Sequence, residues 1–240
     1  RPPRSTLFPY TTLFRSLVWA KFVNAGQTCI APDYILIKRS LKDKFIQQLI
    51  AEIKKEQFSI ENQNYVQIIN EKNMKRLIGY INQDKVVYGG KYDLQPRIIE
   101  PTVMDEVSFD DVVMQKEIFG PILPVIPFES LDEMIAEVKR REKPLSCYVF
   151  TRDKKLRDKI MHEVSFGGGC VNDAIMHISN NKLPFGGVGE SGIGSYHGEY
   201  GFRTFSHYKS ILDKPTWFEA GLKYFPHSKA KFNLMKKLLR

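Results

Sequence analysis

Residues 22–37 read FVNAGQTCIAPDYILI, with one cysteine, Cys29, in a segment of small and polar residues. Gly26 permits a backbone bend that a side chain would block, and Pro32 disfavours a helical conformation for the residue before it. The apolar run at residues 34–37 is typical of a short strand buried on both faces. The segment therefore predicts that Cys29 lies on a short bent connector between two regular elements, where its thiolate can reach a substrate. A buried cysteine that packs as a small apolar residue is the alternative.

Helix and strand patterns alternate along the chain on both sides of this connector. Apolar residues at helical spacing predict a helix over residues 17–25, and a capping box at residues 40–43 predicts the start of a helix that runs to residue 55. The alternation predicts an α/β fold with a largely parallel sheet and helices on its faces. The other predicted helices are residues 71–83, 130–140 and 153–164, and the other extended segments are residues 85–88, 98–103, 122–126, 147–150 and 170–172.

Residues 1–16 have neither helical nor alternating periodicity, and three prolines among the first nine residues disfavour a regular start. Residues 6–16, TLFPYTTLFRS, resemble a translated sequencing adapter fused to an incomplete open reading frame. This resemblance predicts that residues 1–16 are not native and that the protein's own fold begins inside a domain at about Leu17. A native N-terminal extension is the alternative.

The composition is that of a globular protein, with 42% hydrophobic and 26% charged residues in a chain of 240. The net charge is +9, but residues 213–240 hold seven basic and two acidic residues, so about half of the excess lies in the tail. The chain has no helix-turn-helix, zinc-finger or RNA-binding signature, so we expect no nucleic-acid partner.

The three cysteines, Cys29, Cys147 and Cys170, are far apart in sequence. An odd, sparse set favours a reducing compartment over a disulfide framework, so we expect a cytoplasmic protein. The chain has no Cys-x-x-Cys or His-x-x-x-His pair, so no metal site is expected. No apolar run approaches the roughly 20 residues that span a bilayer.

The stretch GVGESG at residues 187–192 matches the letters of the dinucleotide-binding fingerprint. That fingerprint needs a buried strand before it and a helix after it. Here LPF precedes it and further glycines follow. We therefore expect a long functional loop over residues 183–201 and no Rossmann turn.

Three segments occur together in this chain: AGQTCIAPDY at residues 25–34, EIFGP at residues 117–121, and LPFGGVGESG at residues 183–192. In this order and at these separations they resemble the aldehyde dehydrogenase superfamily. The stretch SYHG at residues 195–198, followed by FSH at residues 205–207, resembles its class 3 branch, which acts on fatty and aromatic aldehydes. The resemblance covers nearly the whole chain from Leu17 and implies the family's catalytic-domain fold over residues 17–207.

The resemblance implies NAD(P)-dependent oxidation of an aldehyde to a carboxylic acid through a cysteine thiohemiacetal and a thioester. Cys29 would be the nucleophile, and its own backbone N–H would donate to the oxyanion. Glu117 would hold the ribose next to the nicotinamide, and Phe119 would pack beside the nicotinamide or the ribose. Asn172 and Phe185 would line the aldehyde channel.

The family's nucleotide-binding segment, oxyanion asparagine and glutamate base all precede its cysteine, and residues 1–28 match none of them. Without an activating base, hydrolysis of the thioester slows by roughly 10²- to 10⁴-fold. We therefore expect that the parent protein is an aldehyde dehydrogenase whose NAD(P)-binding domain is missing here, and that this chain alone is inactive.

Residues 208–240 predict an oligomerisation strand at residues 210–213 and a basic amphipathic tail. The tail has two interpretations: a peripheral membrane helix from Lys229 onward, or a segment that packs on its own subunit or across a dimer interface. The expected partners are therefore a small-molecule aldehyde, a second copy in a homodimer and, under the first interpretation, a membrane surface.

Two other classes of function remain open. A stand-alone cysteine-dependent hydrolase or acyl-transfer domain needs a histidine base near Cys29, and the candidates are His162, His177, His197 and His207. A non-catalytic dimerisation module needs no base. The turn at residues 117–121 and the loop at residues 183–192 favour the dehydrogenase, because neither alternative has a reason to carry both.

Overall fold

The computed structural model describes residues 10–238, with side chains from residue 12 onward. The chain divides after Phe205 into two compact units, and all the strands among the described residues lie in the first. The first unit contains, in order, α1 (Tyr10–Phe22), β1 (Ile35–Lys38), α2 (Arg39–Glu56), α3 (Glu71–Ile78), β2 (Val86–Tyr88), β3 (Tyr92–Asp93), β4 (Ile98–Ile99), β5 (Thr102–Met104), β6 (Ile122–Phe128), α4 (Leu131–Lys139), β7 (Ser146–Val149), α5 (Lys154–Glu163), β8 (Gly168–Val171) and α6 (Gly198–Thr204). The second unit contains a short 3-10 helix (Gly221–Lys223) and α7 (Lys229–Leu238).

The main sheet has the strand order β1-β6-β5-β2. Its centre is parallel: Ile35 of β1 pairs with Val125 of β6, and Thr102 of β5 pairs with Ile122 of β6. β2 adds an antiparallel edge, β7 and β8 form a separate parallel pair, and β3 and β4 form an antiparallel pair. The prediction of an α/β fold with a mostly parallel sheet is confirmed.

Local sequence accounts for several of these elements. Residues 122–126 of β6 are buried, as expected for an apolar strand between two parallel neighbours. The Ser130 side chain accepts a hydrogen bond from the N–H of Glu133 and caps α4, and the Asp153 side chain caps α5. The helices predicted at residues 130–140 and 153–164 are confirmed.

Two hydrophobic clusters meet at the cysteine connector. The large cluster includes Phe22 and Ala25 and extends under the main sheet. The small cluster consists of Ala20, Ile30, Ala174, Ile175 and Phe185. The connector therefore packs into the large cluster through Ala25 and into the small cluster through Ile30, and Cys29 lies between these two residues in sequence.

The first helix differs from its prediction at both ends. It begins at Tyr10 instead of Leu17, and Phe14, inside the segment expected to lie outside the fold, is 4% exposed and packs against Phe45. It ends at Phe22, because Asn24 and Ala25 adopt left-handed conformations. The non-native origin of residues 1–16 stays a prediction, and residues 1–9 lie outside the described residues.

The capping box predicted at residues 40–43 is wrong. α2 begins at Arg39, directly after β1, and its N-cap residue Lys38 makes no side-chain capping bond. Ser40 therefore lies inside the helix, because the preceding strand fixes where the helix starts.

Three further predicted boundaries are wrong. α3 ends at Ile78 instead of residue 83, since Gly79 forms its C-cap. Residues 98–103 are not one extended segment, because a break at residues 100–101 separates β4 from β5 in a different sheet. The loop predicted over residues 183–201 contains the start of α6 at Gly198.

The second unit is described by itself. Residues 210–213 are not part of a strand, and the side chains of Ile211 and Leu212 are 74% and 93% exposed. Their pairing between subunits stays a prediction. Among residues 10–238, no helix is long and apolar enough to cross a membrane.

Candidate active site

Cys29 lies on a tight and exposed turn. A short kinked turn, Val23–Gly26, follows α1: Asn24 and Ala25 are left-handed, and Gly26 has a φ of +72°. The N–H of Ala31 donates to the carbonyl of Thr28 at 3.0 Å and closes the turn around Cys29. The cysteine is exposed while Ile30 beside it is buried. The structure thus agrees with the expected exposed connector.

Gln27 anchors the turn to the neighbouring chain. Its side-chain amide donates to the carbonyl of Gln67 at 3.1 Å, and its side-chain oxygen accepts the N–H of Ile69 at 2.8 Å. Both hydrogen bonds cross about 40 residues of sequence. Gln27, two positions before Cys29, is therefore held through both the nitrogen and the oxygen of its side-chain amide.

The turn that carries Glu117 and Phe119 lies directly against the cysteine turn. A Cβ added to Gly26 would lie 2.3 Å from the carbonyl oxygen of Gly120, so the two backbones are in contact. Phe119 is left-handed, with a φ of +49°, and its side chain is 38% exposed. Glu117 is also exposed, whereas Ile118 between them is fully buried. Two segments about 90 residues apart thus form one site.

Four charged side chains surround this contact: Lys21, Asp33, Arg76 and Glu117. Lys21 is only 1% exposed. Burial lowers its pKa to about 8, and the negative charges of Asp33 and Glu117 oppose that shift.

The two carboxyl groups respond in the opposite direction. Burial raises the pKa of Asp33, and the charge of Lys21, the N–H of Ile118 and the charge of Arg76 oppose the rise. Partial burial and the charge of Asp33 raise the pKa of Glu117, while Arg76 and Lys21 lower it. The site therefore places two carboxyl groups, Asp33 and Glu117, among two cationic side chains, Lys21 and Arg76.

Of the two predicted channel residues, Phe185 shares packing with the cysteine connector. Phe185 is 9% exposed and belongs to the same small cluster as Ile30. It pairs with Tyr196 in an isolated β-bridge, and its ring lies 5.8 Å from that of His177 and 6.0 Å from that of His197.

Asn172 is placed differently. It is exposed at the end of β8, and its side-chain oxygen accepts the N–H of Thr151 at 2.9 Å. This hydrogen bond holds the chain after β7 and is a structural use of the side chain. A channel role for Asn172 or Phe185 stays a prediction.

Sequence reasoning missed Tyr148, which supports the cysteine connector from β7. Its hydroxyl donates to the carbonyl of Ile30 at 2.7 Å, and its ring tilts against His177 at 5.9 Å. Burial raises the pKa of Tyr148 to about 12, so the group stays a protonated donor at neutral pH. The available signal was the hydroxyl of Tyr148 among the apolar residues of the strand predicted at residues 147–150, since a buried hydroxyl needs a hydrogen-bond partner.

The other cysteines and the histidines have different environments. Burial raises the pKa of Cys147 to about 11 and also raises that of Cys170, whose sulfur lies 3.7 Å from Nδ1 of His177. In the part of the chain that the structure describes, His162 and His197 face the carbonyls of Asp158 and Leu183. None of these contacts supplies a base to Cys29.

The glycine-rich stretch at residues 187–192 has no Rossmann geometry. It contains a one-turn 3-10 helix, Gly189–Ser191, and the next α-helix begins at Gly198. A pyrophosphate site of the strand-turn-helix kind needs a longer helix directly after the turn. Within residues 12–238, no group of three or more His, Cys, Asp or Glu side chains is arranged to hold a metal ion.

Comparison with protein families gives one match that covers most of the chain. The model of the Aldehyde dehydrogenase family matches residues 11–211. Mouse (Mus musculus) aldehyde dehydrogenase family 3 member A2 is 44% identical over 228 residues, which are 92% of this chain and 47% of the mouse protein. The dimeric NADP-preferring aldehyde dehydrogenase of the dog (Canis lupus familiaris) is 43% identical over 220 residues, which are 90% of this chain and 49% of that protein.

A solved structure agrees with these relatives. The substrate-bound state of Staphylococcus aureus AldH superposes with a TM-score of 0.84 at 45% identity, over 95% of this chain and 51% of that one. The chain thus spans about half the length of these relatives. The class 3-like resemblance seen in the sequence is confirmed.

Proposed function

Because the chain belongs to the aldehyde dehydrogenase family, we propose that it carries the cysteine-bearing part of an enzyme that oxidises aldehydes to carboxylic acids with NAD or NADP. The observation that carries this proposal is the backbone contact between Gly26 and Gly120, which joins the Cys29 turn to the turn of Glu117 and Phe119. A nucleophile and a nucleotide-binding turn have to be adjacent if hydride is to leave a carbon bonded to the sulfur.

Cys29 acts as the nucleophile. Its thiolate attacks the carbonyl carbon and forms the C–S bond of a thiohemiacetal, while the carbonyl oxygen becomes an oxyanion. The backbone N–H of Cys29 is one donor to that oxyanion. Loss of hydride from the same carbon gives a thioester, and water then releases the acid and regenerates the thiol.

Glu117 and Phe119 are suited to the nicotinamide side of NAD or NADP. Glu117 is an exposed acceptor for ribose hydroxyls, and Phe119 offers a partly exposed ring beside it. NAD or NADP supplies the hydride acceptor when bound. The name of the dog relative supports NADP as one of the two cofactors.

The substrate is a medium- or long-chain fatty aldehyde or an aromatic aldehyde. The class 3-like motifs at residues 195–198 and 205–207 support this range. Phe185, with Asn172 nearer the surface, would line the aldehyde channel. The apolar small cluster beside Ile30 suits an apolar substrate.

The intact protein forms a homodimer in this proposal. The relative from the dog is named as dimeric, and residues 210–213 present exposed apolar side chains that a second copy can pair with. The alternative role for the tail is peripheral contact with a membrane surface through α7. α7 carries exposed Phe232, Leu234 and Leu238 together with Lys236 and Lys237.

The test is ester hydrolysis by the chain as it stands. The family's general base precedes the cysteine, and residues 1–28 do not match it, so we expect p-nitrophenyl acetate to release about one equivalent of p-nitrophenolate and then stop. Cys29→Ala should abolish that burst. With an aldehyde and NAD or NADP, the chain alone should form no reduced nicotinamide. Sustained ester turnover that depends on Cys29 would instead support a stand-alone hydrolase.

A further inference from the structure

Asp33 joins the cysteine connector to the turn of Glu117 and Phe119. Its carboxylate accepts the N–H of Ile118 at 3.1 Å to Oδ1 and 3.4 Å to Oδ2, across 85 residues of sequence. Gly26, on the other side of Cys29, lies against Gly120. The turn is therefore attached to the connector both before and after the cysteine.

Arg76 of α3 holds the same turn from the other side. Its guanidinium donates to the carbonyl of Glu117 at 3.1 Å and to the carbonyl of Ile118 at 2.7 Å. The left-handed conformation of Phe119 costs free energy and persists only because its neighbours enforce it. With these backbone groups engaged, the side chains of Glu117 and Phe119 remain exposed and available to a ligand.

The charges around Asp33 are balanced. Asp33 and Glu117 are acidic, while the buried Lys21 and the half-buried Arg76 are basic. Burying a carboxylate is unfavourable unless charges and hydrogen bonds compensate it. Asp33 has the N–H of Ile118 as a hydrogen-bond donor and the two cations as electrostatic partners.

We propose that Asp33 is a positioning residue: its carboxylate holds the turn of Glu117 and Phe119 against the Cys29 turn, so that the thiol and the nicotinamide side of the cofactor share one site. This inference rests on the proposed function. Asp33 acts through the N–H of Ile118 and does not itself contact substrate or cofactor.

Asp111 provides a matched control. Its carboxylate also accepts a backbone N–H, that of Ser108 at 2.6 Å, and it forms an ion pair with Lys85 at 2.6 Å. These partners belong neither to the Cys29 turn nor to the turn of Glu117. Asp111→Ala therefore reproduces the loss of an aspartate that accepts a backbone N–H and has a cation as an electrostatic partner, without touching the proposed site.

The experiment compares the full chain with its Asp33→Ala, Asp33→Asn and Asp111→Ala variants. Deuterium exchange reports the N–H of Ile118, and the burst with p-nitrophenyl acetate reports the acylation of Cys29. We expect Asp33→Ala to speed exchange at residues 117–120 by about 10-fold and to slow acylation about 5-fold, because the connector loses its attachment after the thiol. Asp111→Ala should change neither.

Asp33→Asn separates the hydrogen bond from the charge and covers the case in which the alanine variant does not fold. Its amide oxygen can still accept the N–H of Ile118, so we expect it to restore exchange protection and to acylate within about 2-fold of the unsubstituted chain.

Three outcomes would overturn the inference. In the first, exchange at residues 117–120 in Asp33→Ala matches that in Asp111→Ala. In the second, both substitutions at Asp33 free the turn without changing acylation, which would make Asp33 a purely structural residue. The third concerns the nucleophile. A burst that persists in Cys29→Ala would reject the proposed function and with it the positioning role. The exchange measurement, which needs no activity, separates that failure from a failure of the attachment itself.

Discussion

At the scale of single residues, Gly26 shows how closely the two turns approach. Its positive φ favours glycine, and any Cβ there would overlap the carbonyl oxygen of Gly120. Gly120 itself packs against the side chain of Leu77, because a Cβ on Gly120 would lie 2.5 Å from a methyl group of Leu77. No side chain at position 26 can be accommodated without moving one of the turns.

Gly26→Ala is therefore expected to lower the free energy of unfolding by about 1–3 kcal/mol, through backbone strain and steric overlap. Urea unfolding measures the change. The control is Gly79→Ala, since Gly79 has a negative φ and its nearest contacts are at 3.4 Å and beyond. The control should stay within about 0.5 kcal/mol. Equal losses in both variants would contradict the close approach of the turns.

Lys21 makes a prediction about pH. Its pKa falls from 10.5 to about 8 in the folded chain, so between these values the unfolded chain binds more protons than the folded chain. The free energy of unfolding therefore rises with pH across this window, by up to about 3 kcal/mol from this residue.

Lys21→Met should lose that rise, because methionine does not titrate. The measurement is urea unfolding of both proteins at pH 8 and pH 10.5, and the difference between them removes the titration of the other lysines and tyrosines. Parallel pH dependence in the two proteins would contradict the buried, charged position of Lys21.

At the scale of elements, the first residues of α5 and α2 show two different causes of a helix start: a local side-chain cap, and the position of a preceding strand. α5 begins after Asp153, whose carboxylate accepts the N–H of Lys155 at 2.8 Å and of Leu156 at 3.3 Å. α2 begins at Arg39 with no side-chain cap, although Ser40 looks like one in sequence. α5 is capped by a neighbouring side chain, whereas α2 starts where β1 ends.

Asp153→Ala is expected to cost about 1 kcal/mol of unfolding free energy, the usual value of an N-cap side chain. Ser40→Ala should cost nothing measurable or stabilise slightly, because alanine is the better residue inside a helix. Thermal unfolding of the two variants checks the pair. A loss in Ser40→Ala as large as that in Asp153→Ala would restore the capping box that the structure rejects.

The sequence predicted elements whose causes are local. The strand after Pro32, the apolar run of β6 and the helices α4 and α5 were readable from neighbouring residues. The hydrogen bond between Asp33 and Ile118 was not, since its partners are 85 residues apart and neither position has a local signal for the other. Lys21 could only be noticed as a charge within an apolar helix.

At the scale of the whole molecule, the cysteine connector lies where two hydrophobic clusters meet. The large cluster reaches it through Ala25, and the small cluster reaches it through Ile30. Tyr148 adds a hydrogen bond to the carbonyl of Ile30. The position of the thiol therefore depends on packing from both clusters.

Ile30→Ala should lower the free energy of unfolding by about 2–5 kcal/mol and also slow the alkylation of Cys29 or its acylation. Ile135→Ala is the matched control: Ile135 of α4 is 2% exposed, against 1% for Ile30, and it belongs to neither cluster. The control should lose similar stability while Cys29 keeps its reactivity. Unchanged reactivity in Ile30→Ala would show that the small cluster does not set the position of the thiol.

The most direct test of the central claim, that Cys29 is the nucleophile of this chain, is to locate the acyl group after reaction with p-nitrophenyl acetate. Peptide mass mapping of the full chain distinguishes Cys29 from Cys147 and Cys170, whose thiols have pKa values raised by burial. We predict an acetyl thioester on Cys29 alone, at about one equivalent, and none in Cys29→Ala. Acetylation spread over all three cysteines, or an unmodified Cys29 in a folded chain, would contradict the account.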